Sequence, residues 1–291
     1  MRSAFVSACD NMLNKDENSV LLLGDIGVHG FQKLKDLFPS RIMNLGILEQ
    51  SMVGVGAGFA SRGIIPTLHT IAPFLVERAL EQIKVDFGYQ SLPGNFVSVG
   101  ASFDYSSLGC THHCPADIET LSNVPGVNIY IPGHDLEFTK LFEENWNSGG
   151  INYFRLSSLT NATAIQLSSG ETRRIKEGKA AVVVAVGPIL DNAIEGLSDL
   201  DIELHYINSM VHAKELFFDS NLRDVPFITI EPYYPGSVLS KSLEHLRSLN
   251  LKPYTFGVLR EFSRDYGTLE NHLESNNLDA KSLNTQIGTL L

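Results

Sequence analysis

The 291-residue sequence is short of several things, and each shortage excludes something. It holds 3 cysteines, Cys9, Cys110 and Cys114. So few, and an odd number, argue against a disulfide framework and fit reduced thiols in a cytoplasmic protein. No apolar run approaches the roughly 20 residues that cross a bilayer. The opening Met1-Arg2-Ser3-Ala4-Phe5 lacks a long apolar stretch ending in a small-residue cleavage site, so a signal peptide is not expected. Basic residues are outnumbered, 22 Lys and Arg against 33 Asp and Glu, for a net charge of −11. That balance disfavours nucleic acid and anionic membranes as partners. Charged residues make up only 19% and hydrophobic ones 43%, which argues against disorder and permits sizeable cores. The length suits two domains.

What is present is an alternation of short apolar strands with amphipathic helices, the pattern of parallel sheets flanked by helices. The spacing predicts a helix over Ser3 to Asn14, strands at Val20 to Leu23 and Arg41 to Leu45, and a helix from Glu49 to Ser61. A strand is expected at Ile64 to His69, a helix at Pro73 to Asp86, and strands at 96–99, 127–131 and 151–154. Polar residues of weak periodicity then suggest a linker at 161–176 between domains 1–160 and 177–291. In the second domain Ala180 to Val186 reads as a strand buried on both faces. Further strands are expected at 204–207, 226–230 and 253–258, with a helix at Ser237 to Leu246 and a polar, helical tail from Asp265. The fold class is thus α/β, two domains, each a mostly parallel sheet with helices on both faces.

Three segments can carry chemistry. Asn44-Leu45-Gly46-Ile47-Leu48-Glu49 puts a carboxylate at a strand-to-helix junction, where parallel sheets bind ligands; Glu49 is equally a first-turn glutamate favoured by the helix dipole. Phe74-Leu75-Val76-Glu77-Arg78 opens an amphipathic helix, on which Phe74 is otherwise a core aromatic and Arg78 an exposed ion-pair former. Gly109-Cys110-Thr111-His112-His113-Cys114-Pro115 lies in a loop; its cysteines and histidines superficially suggest a zinc knuckle, although the second ligand pair of such sites normally comes from a separate element. Gly54, Gly56 and Gly58 fall inside a helix, not between a strand and a helix, so they read as close helix packing and not as a dinucleotide fingerprint.

In their order and spacing these segments, with Pro125-Gly126-Val127 and Ile131-Pro132, resemble the pyrimidine-binding domain of the transketolase family. That group includes the deoxyxylulose-phosphate synthases and the β subunits of 2-oxo acid dehydrogenases. Thr229-Ile230-Glu231-Pro232 and Gly236-Ser237 are similar to its C-terminal domain. The resemblance implies a thiamine diphosphate-binding pyrimidine domain followed by a transketolase C-terminal-like domain. It implies that Glu49 activates the cofactor's aminopyrimidine, that Phe74 (or Leu75, one residue on) stacks on that ring, and that Asp25, Ile26, Ile47 and Arg78 contribute to the cofactor site. It places His112, and more loosely His113, toward substrate, and Arg155 on a substrate phosphate.

The resemblance also defines what is missing. The Gly-Asp-Gly signature with which the family holds magnesium and diphosphate does not occur, and Gly24-Asp25-Ile26-Gly27 falls on the first strand of the pyrimidine domain. Magnesium is therefore expected on a homologous N-terminal transketolase subunit, in an α2β2 heterotetramer, and no metal site is expected on this chain. An aspartate that reads a donor hydroxyl in sugar-using relatives falls at Leu108, and an upstream histidine falls at Gly100, which points to an unusual donor. The expected activity is transfer of a two-carbon ketol or acyl unit. The alternatives are a 2-oxo acid dehydrogenase β subunit, a deoxyxylulose-phosphate synthase-like enzyme, or a non-catalytic partner subunit.

Overall fold

Runs such as Ser19-Val-Leu-Leu-Leu23 have no polar face, so they can only be central strands covered on both sides. A computed structural model describes residues 1–291 and places this run, β1 (Ser19–Leu23), inside the first of two sheets. The sheet also contains β2 (Ile42–Asn44), β3 (Ile65–Ile71), β4 (Gly94–Val99), β5 (Val127–Tyr130) and β6 (Ile151–Arg155). These pair in the order β5-β6-β4-β3-β1-β2, every neighbour parallel. Helices Arg2–Lys15 and Asp135–Asn145 cover one face through Phe5, Leu13, Phe138 and Phe142. Helix Glu49–Ala60 and the helical turns of 73–89 cover the other through Met52, Val53, Leu75 and Phe87.

The second sheet consists of β7 (Thr172–Lys176), β8 (Ala181–Val186), β9 (Ile202–Ile207), β11 (Pro226–Glu231) and β12 (Lys252–Gly257), in the order β12-β11-β8-β9-β7. All its pairs are parallel except β7 with β9. The tail forms helices Leu269–Ser275 and Ala280–Gly288, which, with Leu278 between them, seal one face through Leu283 and Ile287. No helix is long and apolar enough to cross a membrane.

Three features depart from the periodicity. The stretch expected as linker carries strand β7, whose Thr-Arg-Arg-Ile-Lys sequence is partly exposed because it is an edge strand; its apolar residues are too few to show a period. The helix expected at Pro73 to Asp86 is interrupted. It opens with wide turns over Pro73–Glu77 and resumes them at Ile83–Tyr89, so the Arg78 N–H bonds to the Pro73 carbonyl, 3.0 Å away. The helix expected over Ser237 to Leu246 is split into Ser237–Ser240 and Leu243–Leu249.

A short strand, β10 (Ser209–Met210), leaves the second domain to pair antiparallel with β5 of the first. Nearby, the fully buried Glu137 carboxylate accepts from Gly133 N (2.9 Å), Tyr206 Oη (2.7 Å), Asn208 Nδ2 (3.1 Å) and Ile165 N (2.8 Å). A buried charge needs such compensation. Here the donors come from both domains and from the connector, so satisfying one carboxylate fixes how the domains meet.

The sheet also buries His69. Its Nδ1 donates to the Val97 carbonyl at 2.8 Å, and Phe5 and Phe31 pack on the ring. Burial lowers its pKa to about 4, below the usual histidine range. The unfolded chain therefore binds a proton below about pH 6.5 that the folded chain refuses. Stability should fall by about 3 kcal/mol from this group between neutrality and pH 4. Urea titrations across that range should show a shallower slope for His69→Asn than for wild type; identical slopes would contradict this assignment.

Candidate active site

The carboxyl ends of β1, β2, β3, β4 and β6 open on one edge of the first sheet, where loops can reach a ligand without blocking strand pairing. Asn44, at the end of β2, organises this edge. Its side-chain carbonyl accepts from Asp25 N (3.0 Å) and Gly46 N (3.2 Å), and its amide donates to Asp25 Oδ1 (2.9 Å). Asp25 has φ +60° and Gly46 φ +75°, and the asparagine holds both residues in the left-handed region. The chain then turns directly into helix Glu49–Ala60, leaving Ile47 and Leu48 exposed and Glu49 buried at 1% exposure.

Glu49 is paired. Its Oε2 accepts from Arg78 Nη1 at 2.6 Å, and the Thr70 hydroxyl lies 3.4 Å from Oε1. The guanidinium carbon of Arg78 stands 4.2 Å from the centroid of the Phe74 ring, and that ring meets His112 edge-on at 5.2 Å. Glu49, Arg78, Phe74 and His112, brought from a strand-to-helix turn, a helix and a distant loop, therefore form one contiguous set. Leu75 is completely buried in the core, whereas Phe74 is half-buried, between the Arg78 guanidinium and the His112 ring. Ile26 is half-buried and lines, with Gly27, Arg2 and His69, a neighbouring cavity of about 570 Å³. Gly56 lies where a Cβ would come within 3.2 Å of Leu68, so close packing is required there, while Gly58 faces open space.

Two residues expected near substrate are turned inward. Arg155 is held in a buried ion pair. Its side chain is 1% exposed, its Nε donates to Asp117 Oδ2 at 2.7 Å and its Nη2 to Ser102 Oγ at 2.7 Å. The same Asp117 oxygen accepts from Tyr153 Oη, and Ser102 donates to the Pro232 carbonyl of the second domain. Arg155 is thus a buried tie, placed inward because β6 is covered on both faces. His113 also turns inward. It packs against Phe103 and His272, with Nε2 3.3 Å from the Ser106 carbonyl, and burial holds its pKa below the usual histidine range. Adjacent residues of an irregular loop point opposite ways, and His112 is the one that meets the Phe74 ring.

Arg2 and Tyr105 belong to the same edge and carried no motif. The Arg2 guanidinium donates to Tyr105 Oη, and the Tyr105 ring lies 6.2 Å from His112. With Ser157 and Ser158 they line a cavity of about 380 Å³. Asp104 pins this cavity by accepting from Ala101 N (3.0 Å), Ser157 Oγ (2.9 Å) and Ser158 N (2.9 Å). The only sequence signal was an isolated arginine at the start of the first helix. The zinc-knuckle residues do not converge: Cys110 is exposed, Cys114 is buried, and no group of three or more His, Cys, Asp or Glu is placed to hold a metal ion.

Residues 1–160 match the family described as transketolase, pyrimidine binding domain, and the chain belongs to that family. It is 36% identical, over 100% of its length and 95% of the other's, to an uncharacterized 33.6 kDa protein in the fasciation locus of Rhodococcoides fascians. It is 30% identical, over 59% of its length, to a subunit of the apulose-4-phosphate transketolase of Actinobacillus succinogenes. It is 24% identical, over 69% of its length, to a 6-deoxy-6-sulfo-D-fructose transketolase subunit of a Clostridium species. These last two matches span 57% and 64% of the relatives' own lengths. Among solved structures, a split-gene transketolase described as an inactive beta4 tetramer superposes with a TM-score of 0.83 at 22% identity, covering 100% of this chain and 97% of that one. A Campylobacter jejuni transketolase superposes at 0.80 and 16% identity over 99% of this chain and 46% of the other. The two-domain α/β architecture is therefore that of the C-terminal section of transketolases.

The Asp117–Arg155 pair yields a stability prediction. Arg155→Met leaves a carboxylate buried without its cation and should cost about 3–5 kcal/mol in denaturant unfolding. A variant of near wild-type stability that instead loses substrate affinity would return Arg155 to the substrate site.

Proposed function

We propose that this chain is one subunit of a split, thiamine diphosphate-dependent transketolase-like enzyme that transfers a two-carbon ketol or acyl unit. It works with a homologous N-terminal subunit that holds magnesium and the diphosphate, in an α2β2 heterotetramer. The names of the relatives, which are subunits of transketolases, support this reading. The observation that carries it is the convergence of a buried carboxylate, an aromatic face and a histidine at the strand ends.

The residues present fit the aminopyrimidine. A flat group with in-plane N–H donors already lies between Glu49 and the Phe74 ring, namely the guanidinium of Arg78. Thiamine diphosphate supplies the nucleophilic carbon and the electron sink when bound. With the cofactor bound, Glu49 would share a proton with a ring nitrogen, its burial excluding the water that would compete, and Phe74 would hold the plane of the ring by stacking. Asp25, Ile26 and Ile47 shape the rim of the cofactor site. His112 stands where it can donate to or take a proton from a substrate oxygen, and Thr111 Oγ1, 3.0 Å from its Nδ1, orients the imidazole. Arg2 offers a cation to an anionic end of the substrate. Leu108, half exposed on the same loop, presents an apolar wall where an aspartate reads a hydroxyl in sugar-using relatives.

Glu49→Gln keeps the shape of the side chain and removes the acid. In the complex reconstituted with the N-terminal subunit it should lower turnover by at least about 100-fold while leaving assembly unchanged in sedimentation. Wild-type turnover by this variant would remove Glu49 from the role.

A further inference from the structure

The pairing of Arg78 has a meaning beyond the ion pair. Its guanidinium occupies the two contacts that a flat heterocycle would use there: a hydrogen bond to the buried Glu49 carboxyl group at 2.6 Å, and the Phe74 face, whose centroid lies 4.2 Å from the guanidinium carbon. A guanidinium suits such a site because it is planar, delocalised and rich in in-plane donors. One carboxylate edge and one ring face cannot serve two flat groups at once. We propose that Arg78 is a built-in surrogate for the aminopyrimidine, filling its subsite in the free chain and leaving it when the cofactor enters. This rests on the proposed role of Glu49 and Phe74.

The surroundings suit a side chain that comes and goes. Arg78 is 39% exposed while Glu49 is 1% exposed, so the arginine can swing to water and the carboxylate cannot. A carboxylate shut away from water requires a donor at all times. Arg78 supplies one before the cofactor arrives; when the arginine swings out, Glu49 takes up a proton from solvent and shares it with the ring nitrogen, so no bare carboxylate stays buried. Arg78 also sits at the wide turn whose N–H reaches back to the Pro73 carbonyl, a geometry that recurs at functional sites. It is thus the residue that sets how readily this subunit accepts the ring, a competitor in the first step of assembly.

The test uses the isolated chain and 4-amino-2-methylpyrimidine, the bare ring without diphosphate, followed by ligand-observed NMR titration. Arg78→Ala and Arg78→Met should bind the ring about 10-fold more tightly than wild type, the gain expected from removing a partly exposed competitor. Arg78→Met keeps the aliphatic stem and guards against a packing defect in Arg78→Ala, and thermal melts confirm that both variants are folded. Adding Glu49→Ala to Arg78→Ala should abolish the gain. Equal or weaker binding by both arginine variants overturns the surrogate role; if Glu49→Ala still weakens the wild type in that case, the reading of the cleft stands without it. If Arg78→Ala binds the ring equally well with and without Glu49, both the surrogate role and the assignment of Glu49 fall.

Discussion

The structure turns on one constraint: Glu49 is a carboxylate taken out of water at the edge of a sheet. Burying it at 1% exposure is affordable only with a donor in contact, and the fold supplies Arg78 at 2.6 Å, with Thr70 further off at 3.4 Å. Everything that makes the site follows from satisfying that group. The asparagine-held turn at Asn44 aims the start of helix Glu49–Ala60 inward. The wide turns at Pro73–Glu77 bring Arg78 and Phe74 to the same side. The loop bearing His112 then closes against the Phe74 edge.

That loop is long, and its place is set from below. Ser102 and Cys114 bridge its two arms through their backbones, at 2.9 and 3.3 Å. Beneath them Arg155 ties Asp117 to Ser102, and Ser102 reaches the Pro232 carbonyl of the second domain. The second domain therefore acts on the site through the underside of this loop, while Glu137 and strand β10 hold the two sheets in register elsewhere. Directional bonds of this kind restrict how the two domains can meet more than a purely apolar interface would.

Much of this was legible in the residues. The all-apolar strands and the alternation with helices defined both sheets, because burial on two faces leaves an unbroken hydrophobic run. Glu49, Phe74 and His112 could be singled out because their motifs keep an order along the chain. What the residues hid was set by tertiary contacts. Strand β7 has too few apolar positions to show a period, and β10, a strand of 2 residues, exists only because β5 offers an edge. Arg155 and Arg2 look alike as lone arginines; burial on β6 made one a structural tie, and a position in the first turn of the first helix left the other lining a cavity. His113 turned inward for want of any periodicity in the loop. The pairing of Glu49 with Arg78 spans 29 residues and has no sequence signature.

The central claim is that Glu49 completes a cofactor site whose other half lies on a separate subunit. Calorimetric titration of thiamine diphosphate with magnesium tests it directly, first into this chain alone and then into its mixture with the N-terminal subunit. The account predicts weak or undetectable binding by the isolated chain and tight, magnesium-dependent binding by the pair, with one cofactor for each chain of this type. Tight magnesium-dependent binding by the isolated chain would contradict it.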